Sequence, residues 1–165
     1  FRSRRDEVSL ALQILIAWIY GHIIEYCLHR FVLHNPKMLS GKPFKRHFAG
    51  HHGIVRKNGM LDGGYSELKK YTPFDFETAF LTFLALVHVP VAFYSPAAYA
   101  VLAWSAFAYF AVHATTHLFP EMIGKILPWH TWHHLGKNQN VNYGVRLPII
   151  DMLAGTYKPI KVRNR

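Results

Sequence analysis

Three long apolar runs alternate with polar segments along the chain. The first run, Val8 to Leu28, has 21 residues. As a helix it would be ~32 Å long, which is enough to cross the core of a bilayer. Only His22 and Glu25 interrupt this run, and Asn35-Pro36 predicts the end of the first helix.

The second and third apolar runs predict a helical hairpin in the membrane. Thr72-Pro73 precedes the second run, Phe74 to Tyr94, and the third run extends from Ala97 to Val112. Ser95-Pro96 between them predicts a tight turn. The last fifty or so residues are polar and are broken by prolines at positions 120, 128, 148 and 159. The pattern predicts an all-α, integral membrane helical bundle, with residues 1–165 forming a single membrane-embedded domain.

Lysine and arginine are distributed unevenly around these runs. Sixteen of the 19 lie in two polar stretches, His29 to Tyr71 and His113 to Arg165, and Ser95-Pro96 has none. Because cytoplasmic segments of membrane proteins are enriched in Lys and Arg, both polar stretches are expected to face the cytoplasm. Three simple crossings would place the arginines of the first five residues on the opposite side. Either a further span precedes residue 1, or the first run is not a simple crossing.

The formal net charge of +10 indicates an anionic partner. The basic residues flank the apolar runs, which favours anionic lipid headgroups over nucleic acid. No nucleic-acid partner is therefore expected. The single cysteine, Cys27, excludes a disulfide within the chain.

Histidine is the residue type that carries candidate chemistry. Ten of the 12 histidines form four groups just outside the apolar runs. The groups are His29 and His34 in HRFVLH, His47, His51 and His52 in HFAGHH, His113 and His117 in HATTH, and His130, His133 and His134 in HTWHH. Residues three or four apart share a helix face. Imidazoles this close without a cation would be unpaired or mutually repelling near a membrane, so we predict that they bind metal.

His29 and His34 do not fit the same spacing. They are five residues apart, about 140° around a regular helix. Either each serves a separate ion, or the helix loosens before Pro36. Zinc takes three or four protein ligands, so ten imidazoles suit two ions with up to five histidines each. Imidazole binds iron, zinc, copper and nickel alike, but the apolar surroundings favour iron and O2 acting on a hydrocarbon.

Three features of the chain resemble the membrane fatty acid hydroxylase superfamily, which includes sterol desaturases and carotenoid hydroxylases. They are the run EYCLHRFVLH, the four histidine groups in order, and the tail NYGVRLPIIDMLAGTY. The first run is most similar to the fatty acid 2-hydroxylases that act on sphingolipid acyl chains. The resemblance covers about Ala17 to Tyr157. It implies membrane helices capped by a cytosolic, histidine-rich dinuclear metal centre that uses O2 and external electrons.

The resemblance also implies how the ligands divide between two ions. One ion would be held by His29, His47, His51, His113 and His130, and the other by His34, His52, His117, His133 and His134. The second group departs from the 2-hydroxylases, because Phe48 stands where their histidine would precede the pair by three residues. His47 is expected to take its place. The expected cofactors are O2 and two iron ions, which zinc can replace in a purified sample.

Three further residues are expected beside the ligands. Glu25 lies four residues before His29 on one helix face. It is expected either to accept a hydrogen bond from a ligand imidazole or to be a helix-capping or interfacial carboxylate. Asn142, like Asn140, is a hydrogen-bonding candidate or a turn residue. The resemblance implies that Tyr143 packs near the metals.

The predicted function is O2-dependent hydroxylation of the acyl chain of a fatty acid or complex lipid. A sterol or carotenoid hydroxylase or desaturase is the alternative, because the same histidine groups serve those substrates. A membrane metal transporter is disfavoured, since transport ligands lie near the bilayer midplane. The acyl chain is expected between the helices, where four phenylalanines either line a channel or face lipid. These are Phe80, Phe83, Phe107 and Phe110.

The expected partners are a lipid substrate, the bilayer and a separate electron-donor protein. A donor is needed because the chain has no haem-attachment motif, Gly-rich dinucleotide fingerprint or cysteine cluster. A basic surface would dock an acidic donor or lipid headgroups. It comprises Lys42, Lys45, Arg46, Arg56 and Lys57. The metal site is expected at the cytoplasmic face of the endoplasmic reticulum in a eukaryote, or of the inner membrane in a bacterium.

Overall fold

The computed structural model describes residues 4–67 and 76–158, and these residues form helices and turns without a strand. The α-helices are α1 (Arg4–Leu28), α2 (Lys42–Phe44), α3 (His52–Lys57), α4 (Phe76–Val87), α5 (Val89–Tyr94), α6 (Pro96–Leu118), α7 (Pro120–Ile126), α8 (Pro128–Leu135) and α9 (Ile149–Leu153). Two π-helices, His29–Leu33 and Lys45–His51, and two 3-10 turns, Met38–Gly41 and Gly63–Ser66, complete the elements. The predicted all-α class is confirmed.

Three helical segments are long and apolar enough to cross a membrane. They are Ser9–Leu33, Glu77–Tyr94 and Pro96–Leu118, with 25, 18 and 23 residues. The first combines most of α1 with the first π-helix, the second combines α4 and α5, and the third is α6. Both α1 and α4 pack against α6. The predicted helical bundle with three candidate membrane spans is therefore confirmed.

The hairpin differs in detail from the sequence pattern. Helix α6 continues past Val112 to Leu118, because the next residue that cannot continue a helix is Pro120. His113 and His117 consequently lie on the same helix as the third span. Ser95 begins this helix, and its hydroxyl accepts a hydrogen bond from the backbone N–H of Ala98 at 3.2 Å.

The second span is broken at His88, between α4 and α5. Pro90 lies in the first turn of α5, and it has no N–H to continue the hydrogen bonds of α4. The predicted start of this span, at Thr72-Pro73 and Phe74, lies outside the described residues, as does Pro159.

The spans expose apolar side chains outwards. Phe83 and Phe107, two of the candidate channel residues, are 59% and 58% exposed, so they belong to the outer surface. Phe80 lines an internal cavity instead. At the polar end of the bundle the buried core is rich in histidine rather than in apolar residues. Seven of the twelve largest fully buried side chains are histidines. The buried interior therefore coincides with the candidate chemistry.

Candidate metal centre

Two π-helices arrange the histidines that regular helices would separate. In the first, the backbone N–H of His34 donates to the carbonyl of His29 at 3.0 Å. In the second, the N–H of His52 donates to the carbonyl of His47. A π-helix bonds residues five apart, so each such pair shares a face. The ring centroids are 5.0 Å apart for the first pair and 4.9 Å apart for the second. The helix therefore loosens before Pro36, which was one of the two interpretations of the spacing between His29 and His34.

Both pairs converge on one cluster together with a histidine of α8. This five-histidine cluster comprises His29, His34, His47, His52 and His133. One ring nitrogen of each member lies within 4.8 Å of those of all the others. All five residues are at most 9% exposed. His47 thus lies in the cluster, whereas Phe48 packs its ring against those of His34 and His52.

A second cluster forms beside the first. This four-histidine cluster comprises His51, His113, His117 and His134, whose ring nitrogens again lie within 4.8 Å of one another. His113 and His117 are one turn apart on α6. His130 adjoins this cluster, with its Nε2 lying 3.2 Å from Nε2 of His134 and 3.4 Å from Nε2 of His117. All ten histidines predicted from the sequence therefore lie in or against the two clusters.

Backbone carbonyls orient three of the rings. Nδ1 of His29 lies 2.5 Å from the carbonyl oxygen of Tyr143, and Nδ1 of His133 lies 2.7 Å from that of Val141. Nδ1 of His117 lies 2.9 Å from the carbonyl oxygen of Met60. A carbonyl oxygen only accepts, so each Nδ1 carries the proton and donates it. Nε2 of the neutral ring is then a lone pair that faces into its cluster.

Carboxylates orient two rings of the four-histidine cluster in the same way. Nδ1 of His51 donates to Oδ2 of Asp62 at 2.9 Å, and Nδ1 of His113 donates to Oε1 of Glu77 at 3.2 Å. Tyr65 donates to the other oxygen of Glu77 at 3.0 Å. The hydrogen bond from His51 holds the pKa of Asp62 below its ordinary value. Asp62 therefore stays ionised and keeps Nε2 of His51 free for a cation.

Side-chain amides contact two rings of the five-histidine cluster. Oδ1 of Asn140 lies 3.3 Å from Nδ1 of His34. Nε2 of Gln139 lies 2.9 Å from Nδ1 of His52 and also donates to the carbonyl of His134 at 2.8 Å. Because His52 and His134 belong to different clusters, Gln139 ties the two clusters together.

Ring nitrogens within the clusters either lack a hydrogen-bond partner among the described residues or meet only another ring nitrogen, as Nε2 of His29 meets Nε2 of His47 at 2.9 Å. Six buried ring nitrogens make no hydrogen bond within the described part of the chain. They are Nε2 of His34, His51, His113 and His133, and Nδ1 of His130 and His134. Buried polar atoms are normally paired, and converging lone pairs repel one another unless a cation lies between them. The donors are neutral imidazoles that lie close together, and in several of them the second ring nitrogen is hydrogen-bonded to the protein. Such a set of donors fits a pair of transition-metal ions.

Burial keeps these imidazoles in the form that binds metal. Burial lowers the pKa of His34 to about 4. It also lowers the pKa of His47, His52 and His133, and the neighbouring histidines lower these values further. In the second cluster, the pKa of His134 falls for the same two reasons. At neutral pH these imidazoles are therefore neutral, so metal binding does not have to displace a proton from the nitrogen that binds it.

An elongated cavity of about 310 Å3 extends from the clusters into the bundle. Its walls are formed by α1, α4 and α6, through apolar side chains such as Ile24, Leu81 and Leu102. Four cluster histidines line its polar end, namely His29, His47, His51 and His113. The cavity therefore gives an apolar molecule access to both clusters.

The sequence of the chain matches a known protein family. The model of the fatty acid hydroxylase family matches residues 14–156. The chain belongs to the fatty acid hydroxylase family. The resemblance seen in the sequence is thereby confirmed over nearly the same range. No curated protein and no solved structure matched the chain in the corresponding comparisons.

The division of histidines implied by the family resemblance differs from the geometry. His29 and His34 were expected on different ions but lie in one cluster, and His117 and His134 were expected with His34 but lie with His51. The physical reason is local. The π-helix brings residues five apart onto one face, whereas His51 and His52 are neighbours and point in different directions. His133 and His134 on α8 are separated in the same way.

Glu25 does not take the expected position beside a ligand imidazole. Its carboxylate accepts hydrogen bonds from the backbone N–H of Val145 at 2.7 Å and of Arg146 at 3.0 Å, and from Nε of Arg146 at 2.5 Å. The ion pair between Glu25 and Arg146 is buried. Glu25 therefore positions the 143–146 loop, and it reaches His29 only through the carbonyl of Tyr143.

Asn142 also acts at a distance from the clusters. Its side chain exchanges two hydrogen bonds with the backbone of Lys158, at 3.1 Å and 2.7 Å, and its φ of 56° is that of a turn residue. Tyr143 does pack against the five-histidine cluster, with its ring 5.3 Å from that of His34 and 5.7 Å from that of His133. Burial raises the pKa of Tyr143 to about 12, so its hydroxyl stays protonated.

Sequence reasoning missed the residues that orient the rings. Asp62, Glu77 and Gln139 contact Nδ1 atoms of cluster histidines but stand far from them in sequence. Asp62 carried a weak signal, since it and Glu67 are the two acidic residues between positions 26 and 74. Arg56, expected on a docking surface, donates to the carbonyls of His134 and Gly136 at 2.9 Å, and so it also secures the end of α8.

Proposed function

We propose that this protein is an O2-dependent membrane hydroxylase that inserts an oxygen atom into the acyl chain of a fatty acid or complex lipid. One observation carries the proposal. Two clusters of buried, inward-facing imidazoles meet the polar end of an apolar cavity between the candidate spans. An acyl chain bound in this cavity would lie beside the candidate metal ligands, as the reaction requires.

The proposed ligands of two iron ions are the nine clustered histidines together with His130. They are His29, His34, His47, His51, His52, His113, His117, His130, His133 and His134. Iron bound in this way supplies the activation of O2 and the oxidising power for a C–H bond. Zinc would occupy the same imidazoles without redox activity.

The chain itself contributes orientation and exclusion of water. The carbonyls of Tyr143, Val141 and Met60 fix the Nδ1 protons of their histidines, so the Nε2 lone pairs do not have to reorient before metal binds. The apolar walls formed by α1, α4 and α6 hold the chain of the substrate against the clusters. Such positioning lowers the entropy cost of bringing a C–H bond to the reactive centre.

Electrons must come from a separate donor protein, and the metal centre is proposed to face the cytoplasm. Lys42, Lys45 and Lys57 are exposed on the polar end of the bundle, where positive charge attracts either an acidic donor or anionic headgroups. Arg46 is exposed as well, and it also lines the cavity, so it lies where a lipid headgroup would enter.

The test compares cells that express the wild type, His134→Ala or Lys125→Ala. Lys125 is exposed on α7 and serves as the control. Lipid extracts are analysed by mass spectrometry, and the purified proteins are analysed for bound metal. We expect a lipid class that gains one oxygen with the wild type and Lys125→Ala and is absent with His134→Ala. We also expect two metal ions per wild-type chain.

Other outcomes would reject the proposal. The same product from His134→Ala would remove the histidine clusters from the reaction. Metal flux into vesicles containing the protein, without any oxidised lipid, would indicate a transporter. Oxidation confined to a sterol or carotenoid would support O2-dependent oxidation but reject an acyl chain as the substrate.

A further inference from the structure

Two short helices at the polar end of the bundle carry apolar side chains on their outer faces. In α7, Met122 and Ile126 lie one turn apart, and both are more than half exposed. In α9, Met152 and Leu153 are more than half exposed as well. Ile126 is 63% exposed and Leu153 is 81% exposed, more than the 58% of Phe107 on the outside of the third candidate span. Both helices therefore expose apolar side chains as a membrane span does.

The opposite side of α7 packs against the protein. Gly124 is two residues from both Met122 and Ile126, which places it ~160° around the helix from each of them. A Cβ atom on Gly124 would lie 3.1 Å from Oγ1 of Thr131 on α8. The lack of a side chain at Gly124 thus lets the two helices approach closely, and this contact directs Met122 and Ile126 away from the protein.

Helix α9 is oriented in the same way. Asp151 is two residues from both Ile149 and Leu153 and therefore lies ~160° around the helix from each of them. Its carboxylate accepts hydrogen bonds from the backbone N–H of Tyr143 and of Gly144, so this side of α9 faces the protein. Ile149 and Leu153 are exposed on the other side. Exposed apolar patches usually mark a surface that binds another protein or a membrane.

Helix α7 directly follows the third candidate span. This span, Pro96–Leu118, has 23 residues and a helical length of ~35 Å. The hydrocarbon core of a bilayer is ~30 Å thick, so Leu118 lies close to the boundary between acyl chains and headgroups. Helix α7 begins at Pro120, two residues and therefore at most ~7 Å beyond Leu118. It thus starts within the headgroup layer, which is ~5–8 Å thick on each side of the core.

Helix α9 lies beside the end of the first candidate span. It packs against α1, and the hydroxyl of Tyr26 lies 3.2 Å from that of Thr156, which closely follows α9. The first span ends at Leu33, seven residues after Tyr26. Helix α9 is therefore held beside the last two turns of this span, at the same end of the bundle as α7.

We propose that α7 and α9 lie in the interface between the headgroups and the acyl chains of the bilayer, with their apolar sides in contact with lipid. This interfacial surface comprises Phe119, Met122, Ile126, Ile149, Met152 and Leu153. An amphipathic helix can bind a bilayer in this way without crossing it. His113 and His117 lie on the last two turns of α6, so the interfacial surface keeps their cluster at the level of the headgroups. The inference goes beyond the proposed reaction and does not depend on it.

Lipid fits the interfacial surface better than a second protein does. Both parts of the surface adjoin the ends of candidate spans, where the bilayer already surrounds the bundle. An acidic electron donor would instead be attracted to the exposed lysines, and the interfacial surface is formed by apolar side chains.

Single cysteines that carry a fluorophore test the position of this surface. The full chain with Cys27→Ser, which removes its single cysteine, is placed in phosphatidylcholine nanodiscs. Iodide quenches a label that contacts water, and a lipid with a nitroxide on its acyl chain quenches a label that contacts the bilayer. The test variants are Ile126→Cys and Leu153→Cys, with Met122→Cys and Met152→Cys as second positions in case a variant does not fold.

Three control positions calibrate the two quenchers. Phe107→Cys places a label on the outside of the third span. Lys57→Cys places one at an exposed position of α3. Glu121→Cys is the matched control on α7 itself, because Glu121 is exposed and lies ~140° around the helix from Ile126.

We expect labels at Ile126 and Leu153 to be quenched by the nitroxide lipid and to lose quenching by iodide, as at Phe107. Labels at Lys57 and Glu121 should be quenched by iodide. Each labelled protein should unfold at the temperature of the unlabelled Cys27→Ser chain. Iodide quenching of the test labels equal to that at Lys57 would show that the surface faces water, and protection from both quenchers would show that protein covers it. Either result would overturn the proposal and leave the hydroxylase function standing.

Discussion

Nδ1 of His29 lies 2.5 Å from the carbonyl oxygen of Tyr143, although 114 positions separate the two residues. Asp151 holds the same loop from its other side, by accepting hydrogen bonds from the backbone N–H of Tyr143 at 2.8 Å and of Gly144 at 2.6 Å. A histidine at the end of a candidate span is therefore oriented by a loop that the C-terminal helix α9 secures. We therefore expect metal binding and the folding of the tail to be coupled through this contact.

Asp151→Asn tests this coupling. The amide cannot accept all the hydrogen bonds that the carboxylate receives from Tyr143, Gly144 and Thr156. We expect the free energy of unfolding to fall by about 3 kcal/mol and the metal content to fall with it. Thermal unfolding in detergent and metal analysis measure the two effects. Glu121→Gln, at an exposed site on α7, should change neither. A destabilised Asp151→Asn protein with full metal content would show that the loop does not orient His29.

Asp62→Asn tests the carboxylate behind His51. The change removes the charged acceptor 2.9 Å from Nδ1, so the imidazole loses basicity and its tautomer is no longer fixed. We expect metal affinity of the four-histidine cluster to fall by about 10- to 100-fold, measured by competition with a chelator. Ser66→Ala, at an exposed position of the 3-10 turn that Asp62 caps, is the control. Unchanged chelator titrations for Asp62→Asn would assign the carboxylate a purely structural role.

Glu25→Gln tests the buried ion pair with Arg146. The neutral amide leaves the guanidinium without its counterion in a buried site, which typically costs about 3–5 kcal/mol. We expect a lower unfolding temperature in detergent. The double variant Glu25→Gln/Arg146→Gln should recover part of the loss, because it removes the unpaired charge. A double variant as unstable as the sum of the single variants would show that the pairing of charges is not the cause.

The metal-free protein should be sensitive to acid. The pKa of His34 falls from an ordinary 6.5 to about 4 in the folded chain. The unfolded state therefore binds the proton first. Stability is fully present above pH 6.5 and is lost as the pH falls from 6.5 towards 4. His34 alone should account for roughly 3 kcal/mol.

Thermal unfolding of the chelator-treated protein at pH values across this window measures the effect. The His34→Ala variant, compared in parallel, should show a shallower dependence on pH. Bound metal should extend the loss of stability to lower pH, because the folded imidazoles then stay unprotonated on their binding nitrogens while the unfolded state still takes up protons. An equal slope for the wild type and His34→Ala would contradict the assignment to this residue.

Much of the architecture could be predicted because it depends on local composition. The three apolar runs located the spans, and Asn35-Pro36 placed the end of the first helix close to the observed end of the π-helix at Leu33. The pattern missed the extension of α6 to Leu118, since the polar residues of HATTH end the apolar run without ending the helix. A helix ends where hydrogen bonding stops, and hydropathy does not report that point.

The candidate site was predictable in its members but not in its arrangement. Histidine spacing selected ten residues, and all ten lie in or against the clusters. For His29 and His34 the spacing left two interpretations open, and the π-helix that turns both onto one face agrees with a helix that loosens before Pro36. Glu25 was selected for its place on the helix, yet its partners come from a loop 120 positions away.

By itself, the sequence determined three membrane-length helices and a set of imidazoles at their polar ends, because hydropathy and residue type are properties of short segments. The tertiary structure decided which imidazoles share a cluster, and it placed adjacent His51 and His52 in different ones. It also supplied Asp62, Gln139 and the carbonyl of Tyr143 to fix the rings. These contacts join distant parts of the chain, and their geometry exists only once the helices have packed.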